Sequence, residues 1–144
     1  MNNVWDEVPD WGGVGALRLD RYGSLGASVW ELGPGGVNWN HFHHASEELL
    51  IVLRGRPTLR TPEGARTLAE GDLATFPTGP AGAKEIRNET DDVVRVLIVS
   101  TNADPDVAEY SDSGKVGIWV AERGRFFRAG DAVEHAGPEA LDQT

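Results

Sequence analysis

The chain has 144 residues, which suits a single domain with a sizeable buried core and leaves no room for a second catalytic domain. Its 23 acidic and 13 basic side chains give a formal net charge of −10, which disfavours nucleic acid and anionic lipid surfaces as partners. The sequence contains no cysteine, which excludes disulfides and thiolate metal sites.

The amino-terminal residues lack the apolar segment that is typical of a signal peptide. Asp6, Glu7 and Asp10 fall within the first ten residues, where a signal peptide would need an apolar stretch. The longest apolar runs have the length of a strand, far below that of a membrane span. We therefore expect a soluble cytoplasmic protein without a membrane partner.

Short strands separated by glycine, proline and polar turns make up most of the sequence after an irregular arm. The predicted strands are 16–22, 25–32, one through His41 and His43, 48–53, 57–61, 66–69, 73–76, 84–88, 93–100, 115–121 and 125–128. The polar segment 89–92 predicts a hairpin between strands 84–88 and 93–100. Many short strands at fairly regular spacing predict a β-sandwich or β-barrel.

The segment from Gly35 to Gly55 carries the candidate chemistry. Residues two apart on a strand share a face, so His41 and His43 are predicted to point the same way. A short break at 44–46 can re-phase the chain, so that Glu48 faces the same interior. Two imidazoles and a carboxylate converging on one point would form a facial set of metal ligands.

A histidine pair of this kind also has a simpler interpretation. In isolation, the His41 and His43 pattern is more typical of polar side chains on a solvated strand face. The carboxylate at a fixed offset and the glycine on each side favour the ligand interpretation here. Gly35, His41, His43, Glu48 and Gly55 are separated by five, one, four and six residues.

This spacing resembles the first sequence motif of the cupin superfamily at every defining position. The second cupin motif is similar to residues 71–88, where Gly71, Pro77, Gly79 and Asn88 stand at the expected places. Two features depart from the family pattern. The gap after Gly79 is longer by two residues, and Lys84 replaces the usual histidine.

The resemblance covers residues 25–100 and implies an all-β fold, the double-stranded β-helix or jelly-roll barrel of cupins. It also implies that His41, His43 and Glu48 hold a divalent transition metal such as Fe, Mn, Ni or Zn. We expect an N-terminal arm and first strand at 1–24, the barrel with both motifs at 25–100, closing strands for the barrel or a dimer at 101–129, and a loose tail at 130–144.

Lys84 makes the metal an open question. A protonated ammonium offers no lone pair, and at about 4 Å it would repel a divalent ion by roughly 8 kcal/mol at an effective dielectric constant near 20. Either the metal is absent and Lys84 pairs with Glu48, or Lys84 swings aside, or Lys84 is neutral. A three-ligand metal site and a metal-free pocket both remain possible.

Two functions fit this sequence. The first is a metal-dependent oxygenase, isomerase or lyase acting on a small oxygenated molecule, with Lys84 as a catalytic proton-transfer or anion-binding group. The second is a non-catalytic module that binds a small molecule, possibly without metal.

Trp39 shares strand parity with the histidines and is predicted to point inward, either as a ligand-stacking ring or as core packing.

A homodimer is also expected. Leu49, Ile51 and Leu53 occupy the outward positions of their strand, and the terminal hairpins would leave sheet edges to cover.

Overall fold

Two antiparallel β-sheets make up the computed structural model, which describes residues 2–134, with the backbone alone at residues 20–22. The strands are β1 Val14–Tyr22, β2 Leu25–Leu32, β3 Val37–His43, β4 Glu48–Arg54, β5 Thr58–Thr61, β6 Gly64–Thr67, β7 Leu73–Phe76, β8 Lys84–Arg87, β9 Val94–Ser100, β10 Asp106–Tyr110, β11 Lys115–Val120 and β12 Arg123–Arg128. Short 3-10 turns lie at Pro80–Gly82 and Ala129–Asp131.

The strand order is that of a jelly roll. One sheet runs β1-β2-β9-β4-β7, and the other runs β12-β11-β10-β3-β8-β5-β6. Apolar side chains from both sheets form the core between them, with Leu50 and Val52 of β4, Leu59 of β5 and Ile86 of β8 all essentially inaccessible to solvent. The jelly-roll fold predicted from the sequence is therefore confirmed.

The predicted hairpin between residues 84–88 and 93–100 is wrong. β8 pairs with β3 and β5, whereas β9 pairs with β2 and β4 in the other sheet. The polar segment between them crosses from one sheet to the other. Asn88 secures this crossing, because its buried amide donates to the carbonyls of Leu32 and Asp92 while its oxygen accepts from Thr90. A local turn signal could not distinguish a crossing from a hairpin.

The segment between Ser100 and Lys115, where no strand was predicted, contains the strand β10. β10 pairs with β3 on one side and with β11 on the other, so the closing strands extend the sheet that carries the histidine pair. β12 then forms an edge, and all six of its residues are exposed.

No helix within residues 2–134 is both long and apolar enough to cross a membrane. The cytoplasmic location, the homodimer and the domain division stay predictions, and residues 135–144 of the predicted tail lie outside the described part of the chain.

Candidate metal centre and active site

The structure brings together the three side chains predicted as metal ligands. His41 and His43 lie on β3, and Glu48 begins β4 in the facing sheet. One ligand atom from each lies within 4.8 Å of the others. The Nε2 atom of His43 is 3.6 Å from Oε1 of Glu48, a separation close to that between two ligands of one tetrahedral ion.

A hydrogen bond at Nδ1 of each histidine leaves its Nε2 atom available for a metal. Nδ1 of His41 lies 2.7 Å from the carbonyl oxygen of Trp39, and Nδ1 of His43 lies 2.8 Å from Oδ2 of Asp106. Because a carbonyl and an ionised carboxylate can only accept, Nδ1 must carry the hydrogen in each ring. A neutral ring protonated at Nδ1 keeps its lone pair on Nε2, the form in which imidazole binds a metal.

Asp106 is itself held firmly in place. Its Oδ1 atom accepts hydrogen bonds from the backbone N–H groups of Ala45 at 3.0 Å and Val107 at 2.8 Å. Burial alone would raise the pKa of Asp106, but the hydrogen bond from Ser46 and the nearby His43 ring bring its pKa below the usual value. The carboxylate therefore stays ionised and fixes the orientation of the His43 ring.

Replacing Asp106 by alanine is expected to release the His43 ring. The Nδ1 hydrogen loses its acceptor, so the ring should populate both neutral tautomers and should rotate more freely. Long-range ¹H–¹⁵N spectra of the metal-free protein should show a single Nδ1-protonated form in the wild type and averaged nitrogen shifts in Asp106→Ala. Unchanged His43 shifts in the variant would mean that Asp106 does not control this ring.

The environment keeps His41 neutral. Burial and, to a smaller extent, the charge of Lys84 lower the pKa of His41 from 6.5 to about 4, against the opposing effect of the hydrogen bond to the Trp39 carbonyl. A neutral imidazole is the form required of a ligand at physiological pH.

Lys84 lies at the centre of the site. It is the cross-strand partner of His41, only 2% of its surface is exposed, and its ammonium forms an ion pair with Oε2 of Glu48. Burial alone would raise the pKa of Glu48, but the charge of Lys84, the nearby His43 ring and the hydrogen bond from Lys84 together outweigh that effect and leave the pKa lower than usual. The 3-10 turn at Pro80–Gly82 absorbs the longer gap of the second motif, so Lys84 still reaches the position that the resemblance assigned to it.

His41, His43, Glu48 and Asp106 line a cavity of about 720 Å³ between the two sheets. Aromatic rings and short polar side chains complete its wall. They include Trp11, Trp30, Asn38, Ser46, Tyr110, Trp119 and Phe126. Tyr110 stacks on His41 with 5.2 Å between ring centroids, and Trp119 lies 6.2 Å from His43. Burial, with a smaller effect of Glu48, raises the pKa of Tyr110, so its hydroxyl remains a donor.

Asp106, Tyr110 and Trp119, which come from β10 and β11, were not predicted as site residues. The strand-forming residues Val107 and Tyr110 were an available signal for β10, but the preceding proline and the charged residues obscured it.

The predicted inward orientation of Trp39 is wrong. The pairing of β3 with β8 shifts register between Asn38 and His41, so Asn38 lines the cavity in place of Trp39. Trp39 is 64% exposed and lines an outer depression. His44, which follows His43, is exposed, pairs with Glu109 and does not line the cavity.

A protein-family model described as a cupin domain matches residues 28–100, just over half of the chain. The chain belongs to the cupin family. A search of curated protein sequences found no significant match.

This cupin is similar to several solved structures. A sugar phosphate isomerase of the cupin superfamily from Silicibacter pomeroyi is 27% identical, with a TM-score of 0.77 over 86% of this chain and 82% of that chain. The polyketide cyclase RemF from Streptomyces resistomycificus is 20% identical, with a TM-score of 0.57 over 63% and 66% of the two chains. KdgF from a Halomonas species is 18% identical, with a TM-score of 0.61 over 71% and 92%.

Proposed function

We propose that this cupin is a metal-dependent isomerase that moves a proton between adjacent carbons of a small hydroxylated carbonyl compound of the sugar type. The observation that carries the proposal is the convergence of two imidazoles and an ionised carboxylate beside the buried ammonium of Lys84. The likeness to the Silicibacter pomeroyi protein, whose printed name is sugar phosphate isomerase, supports this reaction class.

The donor set fits a divalent transition metal. His41 and His43 offer Nε2 lone pairs because their Nδ1 atoms are engaged, and Glu48 offers an ionised oxygen. Two nitrogens and one oxygen with open positions suit Fe, Mn, Ni or Zn. When bound there, such an ion would act as a Lewis acid on a substrate oxygen.

The remaining roles fall to Lys84, which pairs with Glu48, and to side chains that line the cavity. In this proposal the Lys84 ammonium gives a proton to the carbonyl oxygen of the substrate, and the amine that results takes up the proton released by the adjacent carbon. The neutral hydroxyl of Tyr110 can donate a hydrogen bond to a second oxygen. The rings of Trp30, Trp119 and Phe126 offer flat apolar surfaces on which a sugar ring can pack, and they exclude water from the reacting carbons.

Hydrogen exchange at carbon provides the test. We would incubate the protein with Fe²⁺, Mn²⁺, Ni²⁺ or Zn²⁺ and a panel of aldoses and ketoses, with and without phosphate groups, in D₂O. NMR should show deuterium entering beside the carbonyl with at least one metal. His41→Ala and Lys84→Met should abolish this exchange, while His44→Ala, which alters a histidine outside the cavity, should leave it unchanged.

A second candidate function rests on the ion pair between Lys84 and Glu48. In a metal-free cupin this pair would occupy the site, and the cavity would bind a small molecule without transforming it. Saturable sugar binding without deuterium exchange, for every metal in the panel, would favour this alternative over the isomerase.

A further inference from the structure

A row of side chains leads outward from the candidate metal centre across three strands. Tyr110 of β10 is the direct partner of Lys115 on β11, and Lys115 is the direct partner of Arg128 on β12. Both pairings run without a register shift, so directly opposed residues share a face. Trp119 and Phe126, which line the inner cavity, lie on that same face by the two-residue repeat.

Lys115 and Arg128 form an uncompensated pair of like charges. Directly opposed like charges destabilise a sheet. Both side chains are exposed, and among residues 2–134 neither has a carboxylate within salt-bridge distance. The chain as a whole carries ten more negative than positive charges, so the missing partner does not reflect a shortage of carboxylates. An anionic ligand would remove the repulsion and satisfy both groups.

These two cations line an outer depression of about 840 Å³ that adjoins the inner cavity. Tyr110 and Phe126 belong to the walls of both. The carboxylate in the lining, Asp112, is engaged by Arg60 and also accepts a hydrogen bond from Asn40, so its charge is compensated. The exposed ring of Trp39 lies in the same wall.

The inner cavity is the less favourable place for an anion. Its lining includes the carboxylates of Asp104, Asp106 and Glu122, while its one lining arginine within the described residues, Arg18, pairs with Glu122. Neighbouring strands are about 4.8 Å apart, which places Lys115 about 10 Å and Arg128 about 14 Å from the position of His41 in the row. A sugar with an anionic group at its far end could span the shorter of these distances.

Building on the proposed function, we infer that the substrate is anionic. Its carbonyl and hydroxyl end would lie at His41, His43 and Glu48, and its phosphate or carboxylate group would lie between Lys115 and Arg128. The structure thus assigns an anion subsite to the outer depression, where Trp39 is placed to contact the bound molecule.

Binding to the metal-free full-length protein tests this assignment without any turnover. Calorimetry or NMR titration would compare D-glucose 6-phosphate, D-glucuronate and D-glucose. At least one anionic sugar should bind about tenfold more tightly than glucose, and the tighter of the two identifies phosphate or carboxylate as the preferred group. Lys115→Gln and Arg128→Gln should each remove most of that preference.

Arg125→Gln is the matched control. Arg125 is an exposed arginine on the same strand, but it is opposed to Ile118 and lies on the other face. Its removal should leave anion binding unchanged. Equal affinity for charged and neutral sugars, no detectable anion binding, or an equal loss in Arg125→Gln would each overturn the subsite.

The subsite and the isomerase can fail separately. Anion binding that depends on Lys115 and Arg128, without deuterium exchange, would leave the subsite standing and refute the isomerase. Deuterium exchange on anionic sugars at an unchanged rate in the double variant Lys115→Gln/Arg128→Gln would refute the subsite and leave the isomerase standing.

Discussion

Replacing Glu48 by glutamine is expected to lower the free energy of unfolding by about 3 kcal/mol. The change preserves the shape of the side chain but leaves the ammonium of Lys84 buried without a counter-charge, with only 2% of its surface reaching solvent. A buried ion pair contributes little by itself, whereas removing one partner leaves a charge that the interior cannot solvate. Urea denaturation of the metal-free protein measures the difference.

Two variants isolate the cause of this loss. Glu47→Gln alters the exposed neighbouring carboxylate and should cost almost nothing. Adding Lys84→Met to Glu48→Gln removes both charges and should recover most of the lost stability. A loss below about 1 kcal/mol in Glu48→Gln, or no recovery in the double variant, would show that the pair is not a buried ion pair in solution.

Replacing Lys84 by histidine is expected to raise the affinity for a divalent metal by at least about a hundredfold. The substitution removes an ammonium whose repulsion of a divalent ion is roughly 8 kcal/mol at about 4 Å, so even a largely relaxed site should gain about 3 kcal/mol. It also supplies a third imidazole, and so a fourth ligand, beside His41, its cross-strand partner. Calorimetric titration with Zn²⁺ or Ni²⁺ gives the comparison.

Lys84→Met separates the two contributions, because it removes the charge and adds no imidazole ligand. We expect its affinity to lie between those of the wild type and Lys84→His. Equal affinity in all three proteins would mean that residue 84 does not face the metal position, and the site geometry would then have to be revised.

The convergence of His41, His43 and Glu48 could be predicted from the sequence because the constraints that bring them together are local. His41 and His43 share a face through the repeat of a strand, and residues 44–46 re-phase Glu48 as expected. The buried positions of Leu50 and Val52 follow from the same alternation. The position of Lys84 beside this group could be predicted only from the resemblance to the cupin motif, because no local sequence pattern indicates that β8 pairs with β3.

The missed features depend on which strands become neighbours. Asp106 and Tyr110 gain their roles only because β10 pairs beside β3, more than sixty residues away in the sequence. Trp39 was assigned to the wrong face because a register irregularity between Asn38 and His41 interrupts the two-residue repeat. The crossing near Asn88 was taken for a hairpin because a polar turn is compatible with both connections.

The most direct test of this account is calorimetric titration of the tag-free wild-type protein with Mn²⁺, Fe²⁺, Ni²⁺ and Zn²⁺, repeated with single histidine variants. The account predicts saturable binding of one ion per chain for at least one metal, loss of that binding in His41→Ala and His43→Ala, and full retention in His44→Ala. Absence of stoichiometric binding in the wild type for all four metals, or equal loss in His44→Ala, would contradict it.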